Sequence, residues 1–320
     1  MFLHRTPKSL IDHCLVAGPS RPILSRTSNF TPVLVLVVLA WFVGPVQAEW
    51  VESIAEVELG IAYDNNLNRS AFTEDEEEDH EFTGVLSIGR YYQVKDNTRF
   101  SIIGDLGVRA LDQFTDLNSA SIGTTVTLHH KYGVGAEMPW VQGFASLSYL
   151  DVRDDARDST IFDIGLRAGK RFMPRLDGRV EYFYRTRDGE NGPVVVPSID
   201  TDVFDQNFHK ISTNLNFLAT NRLLLSTGYS YRDGDFDSAC TPGNVGTVFA
   251  LEDVKAIAFD DVFGGCVYRL DGTLWTFSLG ASYALGRETA LLFNYQNNDG
   301  KADELHYSGK IYRISVGHQF

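Results

Sequence analysis

Long apolar segments are almost absent from this 320-residue chain. The one sustained run, Val33 to Val43, has about 11 residues, whereas a membrane-spanning helix needs about 20. The sequence after residue 48 therefore excludes a helical membrane protein. Basic residues are also scarce, with 28 Lys+Arg against 42 Asp+Glu. Because nucleic-acid binding rests on a basic surface that neutralises phosphates, this deficit argues against a nucleic-acid partner.

The apolar run fits a secretory leader. Four basic residues and one acidic residue lie in the first 30 positions, and Val46-Gln47-Ala48 follows the run as an A-x-A-like site. This order predicts a signal peptide, residues 1–48, cleaved after Ala48; the alternative is a non-cleaved anchor. Cleavage leaves residues 49–320 with 24 basic and 41 acidic side chains, a net charge of −17.

Cysteine is rare, and no C-x-x-C pair is present. Cys14 lies in the predicted leader, so the mature chain keeps Cys240 and Cys266. An even pair in an exported protein is a disulfide candidate, and two free thiols are the alternative. A disulfide closing about 27 residues would contribute roughly 3–3.5 kcal/mol in the chain-entropy model. No His cluster accompanies the pair, and the sequence indicates neither a metal nor a cofactor.

The mature chain consists of segments of 10–14 residues in which apolar and polar side chains alternate. This period and length are typical of outer-membrane β-strands. We predict twelve strands, with ten or fourteen as the alternatives. Their ranges are 51–63, 82–93, 99–111, 119–131, 140–151, 160–172, 175–187, 206–218, 222–233, 273–285, 288–297 and 306–320.

The connections between these segments alternate between short and long. Tight links such as Met173-Pro174 and Gly286-Arg287 alternate with longer, acidic or polar ones. Transmembrane barrels show this asymmetry because their periplasmic turns are short and their external loops long. The pattern predicts an all-β, antiparallel up-and-down barrel with both termini in the periplasm.

The last strand carries a recognisable pattern. Tyr312, Ile314, Val316, His318 and Phe320 fall on one face, and Phe320 is the final residue. An amphipathic strand ending on an aromatic residue resembles the closing strand of Gram-negative outer-membrane barrels, where Tyr312, Ile314, Val316 and Phe320 would form the assembly signal. The resemblance implies the cell outer membrane as the location. It implies membrane lipid, lipopolysaccharide and the barrel assembly machinery as partners.

A second, local resemblance covers about seven residues. The stretch from Tyr63 to Arg69 (YDNNLNR) is similar to the opening of porin-like barrels of the "putative β-barrel porin 2" type and to the barrel of surface lipoprotein assembly modifiers. Those modifiers carry a helical repeat domain before the barrel. Here only Glu49 and Trp50 precede the first predicted strand, which counts against an export role.

The predicted lumen is rich in arginine. If the apolar faces contact lipid, the pore-lining candidates are Arg99, Asp105, Arg109, Asp163, Arg167, Arg171, Arg175, Arg179, Glu181, Arg185 and Arg313. Rings of arginine favour anions in pores, and small twelve-stranded porins for acidic oligosaccharides are similar in using arginine tracks. This interpretation predicts a passive diffusion channel that prefers small anionic solutes. Alternatively, the arginines pair with lumenal acids and fill a non-conducting barrel that presents loops for adhesion or docking.

Two loops complete the prediction. The acidic run 74–79 could hold divalent cations, but it lacks a calcium-loop spacing, and a mobile, solvated loop fits it better. The loop 234–272 contains both mature cysteines and an apolar centre; we expect it to fold inward over the pore rather than outward. No G-x-S-x-G or other nucleophile motif accompanies a histidine, so we expect no enzymatic activity.

Overall fold

A computed structural model describes residues 49–190, 192–193, 199–251, 253–302 and 304–320. The predicted signal peptide, residues 1–48, lies outside this part of the chain. Thirteen strands form a single sheet. They are β1 (Glu49–Asp64), β2 (Asp79–Lys95), β3 (Thr98–Leu111), β4 (Ser119–Lys131), β5 (Trp140–Val152), β6 (Ser159–Met173), β7 (Leu176–Gly189), β8 (Gln206–Leu218), β9 (Leu223–Cys240), β10 (Ala256–Asp260), β11 (Gly265–Ala284), β12 (Thr289–Ala302) and β13 (Leu305–Gln319).

Twelve of these strands close into an antiparallel up-and-down barrel, which confirms the predicted fold and strand number. Each strand pairs with its sequence neighbour, except that β9 pairs with β11 and β13 returns to pair with β1. Leu59 lies opposite Val316 in the closing pair. Closure leaves no free edge on the ring, so the backbone N–H and C=O groups of the wall are paired within it.

The alternation of each strand separates two surfaces. Large apolar side chains point away from the barrel and are exposed, among them Leu59, Leu106, Ile122, Leu147, Leu166, Leu215, Leu279 and Ile314. Small polar side chains point inward and are buried, among them Ser87, Ser101, Thr125, Thr127, Ser230 and Ser315. An apolar outer band and a polar interior are what a barrel needs to stand in lipid around an aqueous lumen.

The two ends of the barrel differ. The turn end holds both ends of the described chain and short connections such as 96–97 and 174–175. The loop end holds the long connections, with 3₁₀ turns at Thr73–Asp75, Thr115–Leu117 and Asp155–Arg157. It also holds helix α1 (Val245–Phe249). Among the described residues, no helix is both long and apolar enough to cross a membrane.

The predicted loop 234–272 is largely regular structure, and here the prediction was wrong. The strand ladder continues from Gly234 opposite Gly272 to Cys240 opposite Cys266. Alternation ends near residue 233, because above that height both faces of the hairpin are covered by protein. The connection proper is residues 241–264, which we call the lid; it contains α1 and β10, and residue 252 within it is not described.

A charge placed on the outer face tests the orientation of the wall. Leu166 lies at the centre of β6 and is 66 % exposed on the outside. We expect Leu166→Arg to lower the free energy of unfolding in lipid by about 2–4 kcal/mol, because it puts a cation near the bilayer midplane. Urea titration of folding into vesicles measures this change.

Ser212→Arg provides the matched control. Ser212 lies at the centre of β8, faces inward and sits in register with Glu181. An arginine there meets a carboxylate rather than lipid, so we expect a much smaller change. Equal destabilisation by both substitutions would contradict the assignment of the two faces.

Candidate functional site: the lumen and its lid

A carboxylate bridges two arginines on the wall formed by β13, β1, β2 and β3. Glu81 accepts a hydrogen bond from Arg109 Nε through one oxygen and from Arg313 Nη2 through the other, the latter at 2.6 Å. All three side chains face inward, and the Glu81 side chain is nearly covered. A buried carboxylate needs such compensation, and the trio leaves one net positive charge on this wall.

Strands β6 and β7 carry a ladder of ion pairs. Asp163 lies opposite Arg185 and accepts two hydrogen bonds from it, at 2.6 and 2.8 Å. Arg167 lies opposite Glu181 and donates to it. Bidentate pairing fixes a guanidinium more firmly than a single contact does. The arginines that the sequence assigned to this wall are thus partly neutralised by carboxylates directly across the ladder.

The sequence interpretation missed the aromatic rings between these pairs. Phe144, Phe183 and Phe208 face inward, with ring centroids 6.4 and 6.0 Å apart in succession. Arg167 lies 4.2 Å over Phe144, and Arg232 lies 3.8 Å over Phe208. Cation–π stacking holds the flat face of each guanidinium. The presence of both Phe and Arg at inward positions of β5 to β9 is the sequence signal that could have predicted this stacking.

The structure brings most of the pore-lining candidates to the lumen. Arg109, Asp163, Arg167, Glu181, Arg185 and Arg313 take part in the pairs above, and Asp105 accepts a hydrogen bond from Ser87 at 2.6 Å. Arg171 and Arg179 also occupy inward-facing positions of β6 and β7, where Arg171 lies opposite Asp177. Arg99 lies at the rim, exposed and bonded to Gln93.

Arg175 does not line the lumen, and its assignment was wrong. It lies exposed in the turn between β6 and β7, because β7 begins at Leu176 rather than at residue 175. In the sequence, Arg175 continues the alternation of charged and apolar residues seen in β7, which is why it was predicted to face the lumen.

A disulfide joins the two ends of the lid. Cys240 and Cys266 are bonded, at a Cα–Cα distance of 5.1 Å, where β9 and β11 end their shared ladder. Above them, Ile257 of β10 donates its N–H to Asp200 O at 2.8 Å, and Phe259 donates to Pro193 O at 3.4 Å. The lid therefore packs against the described part of the β7–β8 loop, at Pro193 and Asp200.

The acidic loop between β1 and β2 is tied to the lid, so the expectation of a mobile, solvated loop was wrong for its buried members. Asp75 is buried and accepts hydrogen bonds from Thr241 Oγ1 at 2.7 Å and Asn244 Nδ2 at 2.8 Å. Asp79, also buried, accepts the N–H groups of Gln113 and Phe114. Asp75 therefore connects this loop to the lid, and Asp79 connects it to the β3–β4 loop.

The tip of the lid reaches the far side of the mouth. Arg157, in the β5–β6 loop, donates to both oxygens of Asp260 at 3.1 and 3.2 Å, and the Asp260 side chain is fully buried. Phe263 packs on Phe114 of the β3–β4 loop, with centroids 4.9 Å apart. In the ring order, β3 lies six strands from β9. The lid thus spans the barrel and is latched opposite its base.

A cavity of about 490 Å³ lies beneath the lid. Its lining residues come from ten of the twelve barrel strands, so it is the loop-end section of the lumen itself rather than a side pocket. Its charged lining consists of six arginines and three carboxylates, namely Arg69, Arg109, Arg157, Arg187, Arg232, Arg313, Asp64, Glu81 and Asp237. The lining therefore carries three more positive than negative side chains.

The loop that carries Arg157 also contains an acid, Asp158, whose pKa is raised by burial. Burial raises the pKa of Asp158 to about 6, although its carboxylate accepts the N–H of Val152 at 2.7 Å. A raised pKa means that the folded state binds this proton more tightly than the unfolded chain does. Above pH 6 the charged form therefore opposes folding of the loop.

Comparison with solved structures supports the fold. An outer-membrane channel from Pseudomonas putida F1 aligns over 87 % of this chain and 100 % of its own, with a TM-score of 0.53 and 10 % identity. The KdgM porin aligns over 83 % and 99 % at a TM-score of 0.41 and 12 % identity. The channel DcaP of Acinetobacter baumannii aligns over 87 % and 99 % at 0.40 and 8 %.

No family profile and no curated protein matches the sequence. The similarity is therefore one of architecture, and the two local resemblances noted at Tyr63–Arg69 stay predictions. Taken with the apolar outer band and the closed ring, it supports the fold of a transmembrane β-barrel of the outer-membrane type.

The latch can be tested by removing its cation. We expect Arg157→Ala to leave Asp260 buried with only the Val262 N–H and no cation as partner, at a cost of about 3–5 kcal/mol, and to release the lid. Hydrogen exchange at the amides of Ile257 and Phe259 should accelerate at least tenfold. Arg153→Ala is the control, since the Arg153–Asp116 pair in the same region is exposed and contributes little. Unchanged exchange in Arg157→Ala would contradict a latch.

The raised pKa of Asp158 predicts a pH-dependent stability. Asp158→Asn keeps an oxygen for the Val152 N–H but removes the buried charge, so we expect it to raise the melting temperature at pH 8. The gain should shrink as pH falls through about 6 and vanish near pH 4, where wild-type Asp158 is protonated. Calorimetry in detergent at pH 4, 6 and 8 measures it, with the exposed Asp155→Asn as control. A gain that is constant across this range would contradict the assignment.

Proposed function

We propose that the protein is a passive diffusion channel of the outer membrane that prefers small anionic solutes. The observation that carries the proposal is the polar middle of the lumen. The three clusters of buried apolar residues in the described chain all lie at the loop end, around Tyr268, Leu150 and Val203. Below them, most inward-facing positions hold Ser, Thr, Asn and paired charges, with Phe144 and Phe183 among them, and this mainly polar lining suits water rather than a packed core.

The preference for anions is supported by where charges are paired and where they are not. On β6 and β7 each acid of the ladder has an arginine opposite it. Toward the loop end, the chamber holds six arginines against three carboxylates. An anion entering from the loop side therefore meets a positive region first and a neutral, hydrogen-bonding one after it. Arginine-lined pores select anions by this electrostatic route.

A second candidate function is a non-conducting barrel that presents its loops for docking. The latch favours it, because Arg157–Asp260 and Phe114–Phe263 hold the lid across the whole mouth. A lid fixed in that position serves as a structured outer surface. Neither candidate assigns a reaction to the barrel.

Conductance in planar bilayers separates the two candidates. We expect purified protein to give discrete channels whose reversal potential in a KCl gradient shows chloride preference. A variant in which residues 243–262 are replaced by a short Gly/Ser linker keeps Cys240 and Cys266 and should conduct more. No current from either protein would establish the non-conducting barrel and overturn the channel.

The selectivity is tested in the same apparatus with a double variant. Arg167→Ala with Arg179→Ala removes two inward-facing cations and leaves Glu181 without its partner, so the reversal potential should move toward cation preference. Arg175→Ala, in the exposed turn, is the matched control and should leave it unchanged. Cation selectivity of the wild type, or no shift in the double variant, would contradict the anion preference.

A further inference from the structure

The chamber beneath the lid has features that anion selectivity alone does not require. A filter for anions needs only positive charge, whereas this chamber combines charge with an extended apolar lining to which the lid contributes Phe263. We propose that it is a binding subsite for a small carboxylate that carries an apolar body. The inference rests on the proposed channel, because the solute would reach the subsite through the lumen.

Two of the six arginines that line the chamber have N–H groups that are not used in ion pairs. Arg109 and Arg313 pair with Glu81, Arg157 pairs with Asp154 and Asp260, and Arg69 pairs with Asp237. Among the described residues, Arg187 and Arg232 form no ion pair within 4 Å. Their hydrogen bonds go to neutral oxygens, namely Ser159 Oγ and Arg157 O for Arg187, and Asp235 O for Arg232.

The donors of these two arginines are not used up by those bonds. A guanidinium has five N–H groups; Arg187 uses its Nε and Nη2, and Arg232 uses one Nη2. The Nε of Arg232 is buried without a hydrogen-bond partner. A buried donor left without an acceptor is costly, so an incoming carboxylate oxygen would stabilise this position.

Aromatic rings define the direction from which an anion can bind. Arg232 lies over Phe208 at 3.8 Å and near Phe236 at 5.8 Å, and Arg187 lies over Phe204 at 5.0 Å. Since the rings lie over the guanidinium faces, an acceptor would have to approach these two arginines at their N–H edges. An edge-on guanidinium matches the two coplanar oxygens of a carboxylate.

The apolar lining accounts for the rest of the solute. Leu117, Leu150, Val152 and Phe263 form a packed cluster whose surface faces the chamber on one side. Phe236 and Leu274 line the other side. A hydrated chloride or phosphate would leave these surfaces wet, whereas an apolar body covers them and gains the hydrophobic contribution. The volume of about 490 Å³ is within the range of small-molecule pockets.

Isothermal titration of the purified mature protein in detergent tests the subsite without depending on conduction. At constant ionic strength, we expect sodium benzoate to bind with 1:1 stoichiometry and sodium acetate and inorganic phosphate at least tenfold more weakly. Arg187→Gln and Arg232→Gln should each weaken benzoate binding at least tenfold. Arg175→Gln, which changes an exposed turn arginine, should not.

The apolar part has its own variant. Leu150→Asn should weaken benzoate binding but leave acetate unchanged, because acetate has no body to place against the cluster. Heat-modifiable migration in gels verifies that each variant is folded, and the comparison of benzoate, acetate and phosphate on the wild type needs no variant at all.

The outcomes separate this inference from the proposed function. Absence of saturable benzoate binding, equal affinity for acetate, or equal loss in Arg175→Gln would overturn the subsite. Conductance without benzoate binding would do so while leaving the channel intact. Saturable benzoate binding without conductance would support the subsite and overturn the channel.

Discussion

Ring closure is the constraint on which the rest of this structure depends. Once β13 pairs with β1, every strand must present one face to lipid and the other to the lumen, and no backbone group of the wall can be left without a partner. The requirement fixes side chains in pairs: an apolar residue such as Leu166 outside obliges a neighbour such as Arg167 to lie inside. A charged side chain that faces the lumen is partly buried by protein. The free-energy cost of this burial is offset where the charge contacts a carboxylate, a neutral hydrogen-bond acceptor or an aromatic ring.

The lumen answers this requirement in three ways. Low on β6 and β7, cross-strand carboxylates neutralise the arginines. Between these pairs and above them, phenylalanine rings cover guanidinium faces. At the loop end, Arg187 and Arg232 lie near Asp237 but, within the described part of the chain, form no ion pair within 4 Å, and the Nε of Arg232 has no acceptor. The arginines low in the barrel are thus held by carboxylates, and in the proposed subsite those at the loop end would be the ones that receive a solute.

The sequence predicted the wall well because alternation is a local property. The faces of β1 to β9 and β11 to β13 can be assigned from neighbouring residues, and with them the inward position of Arg109, Arg185 and Arg313. Arg175 shows the limit, since one residue decides between wall and turn. The lid could not be predicted, because its latch joins residues 103 positions apart and its capping acid, Asp75, is 166 positions from Thr241. Contacts between residues so far apart in the sequence produce no periodic pattern from which they could be predicted.

The disulfide gives the lid a mechanical character. From Cys240 to Cys266 the chain is a closed covalent ring stitched into the wall between β9 and β11. A ring anchored on one side can tilt about its base but cannot slide or withdraw. If the protein is the channel proposed above, its opening would therefore be the rotation of a flap hinged at β9 and β11, with the aperture above β3 to β6. A solute would then enter along that wall, on a path that is eccentric rather than axial.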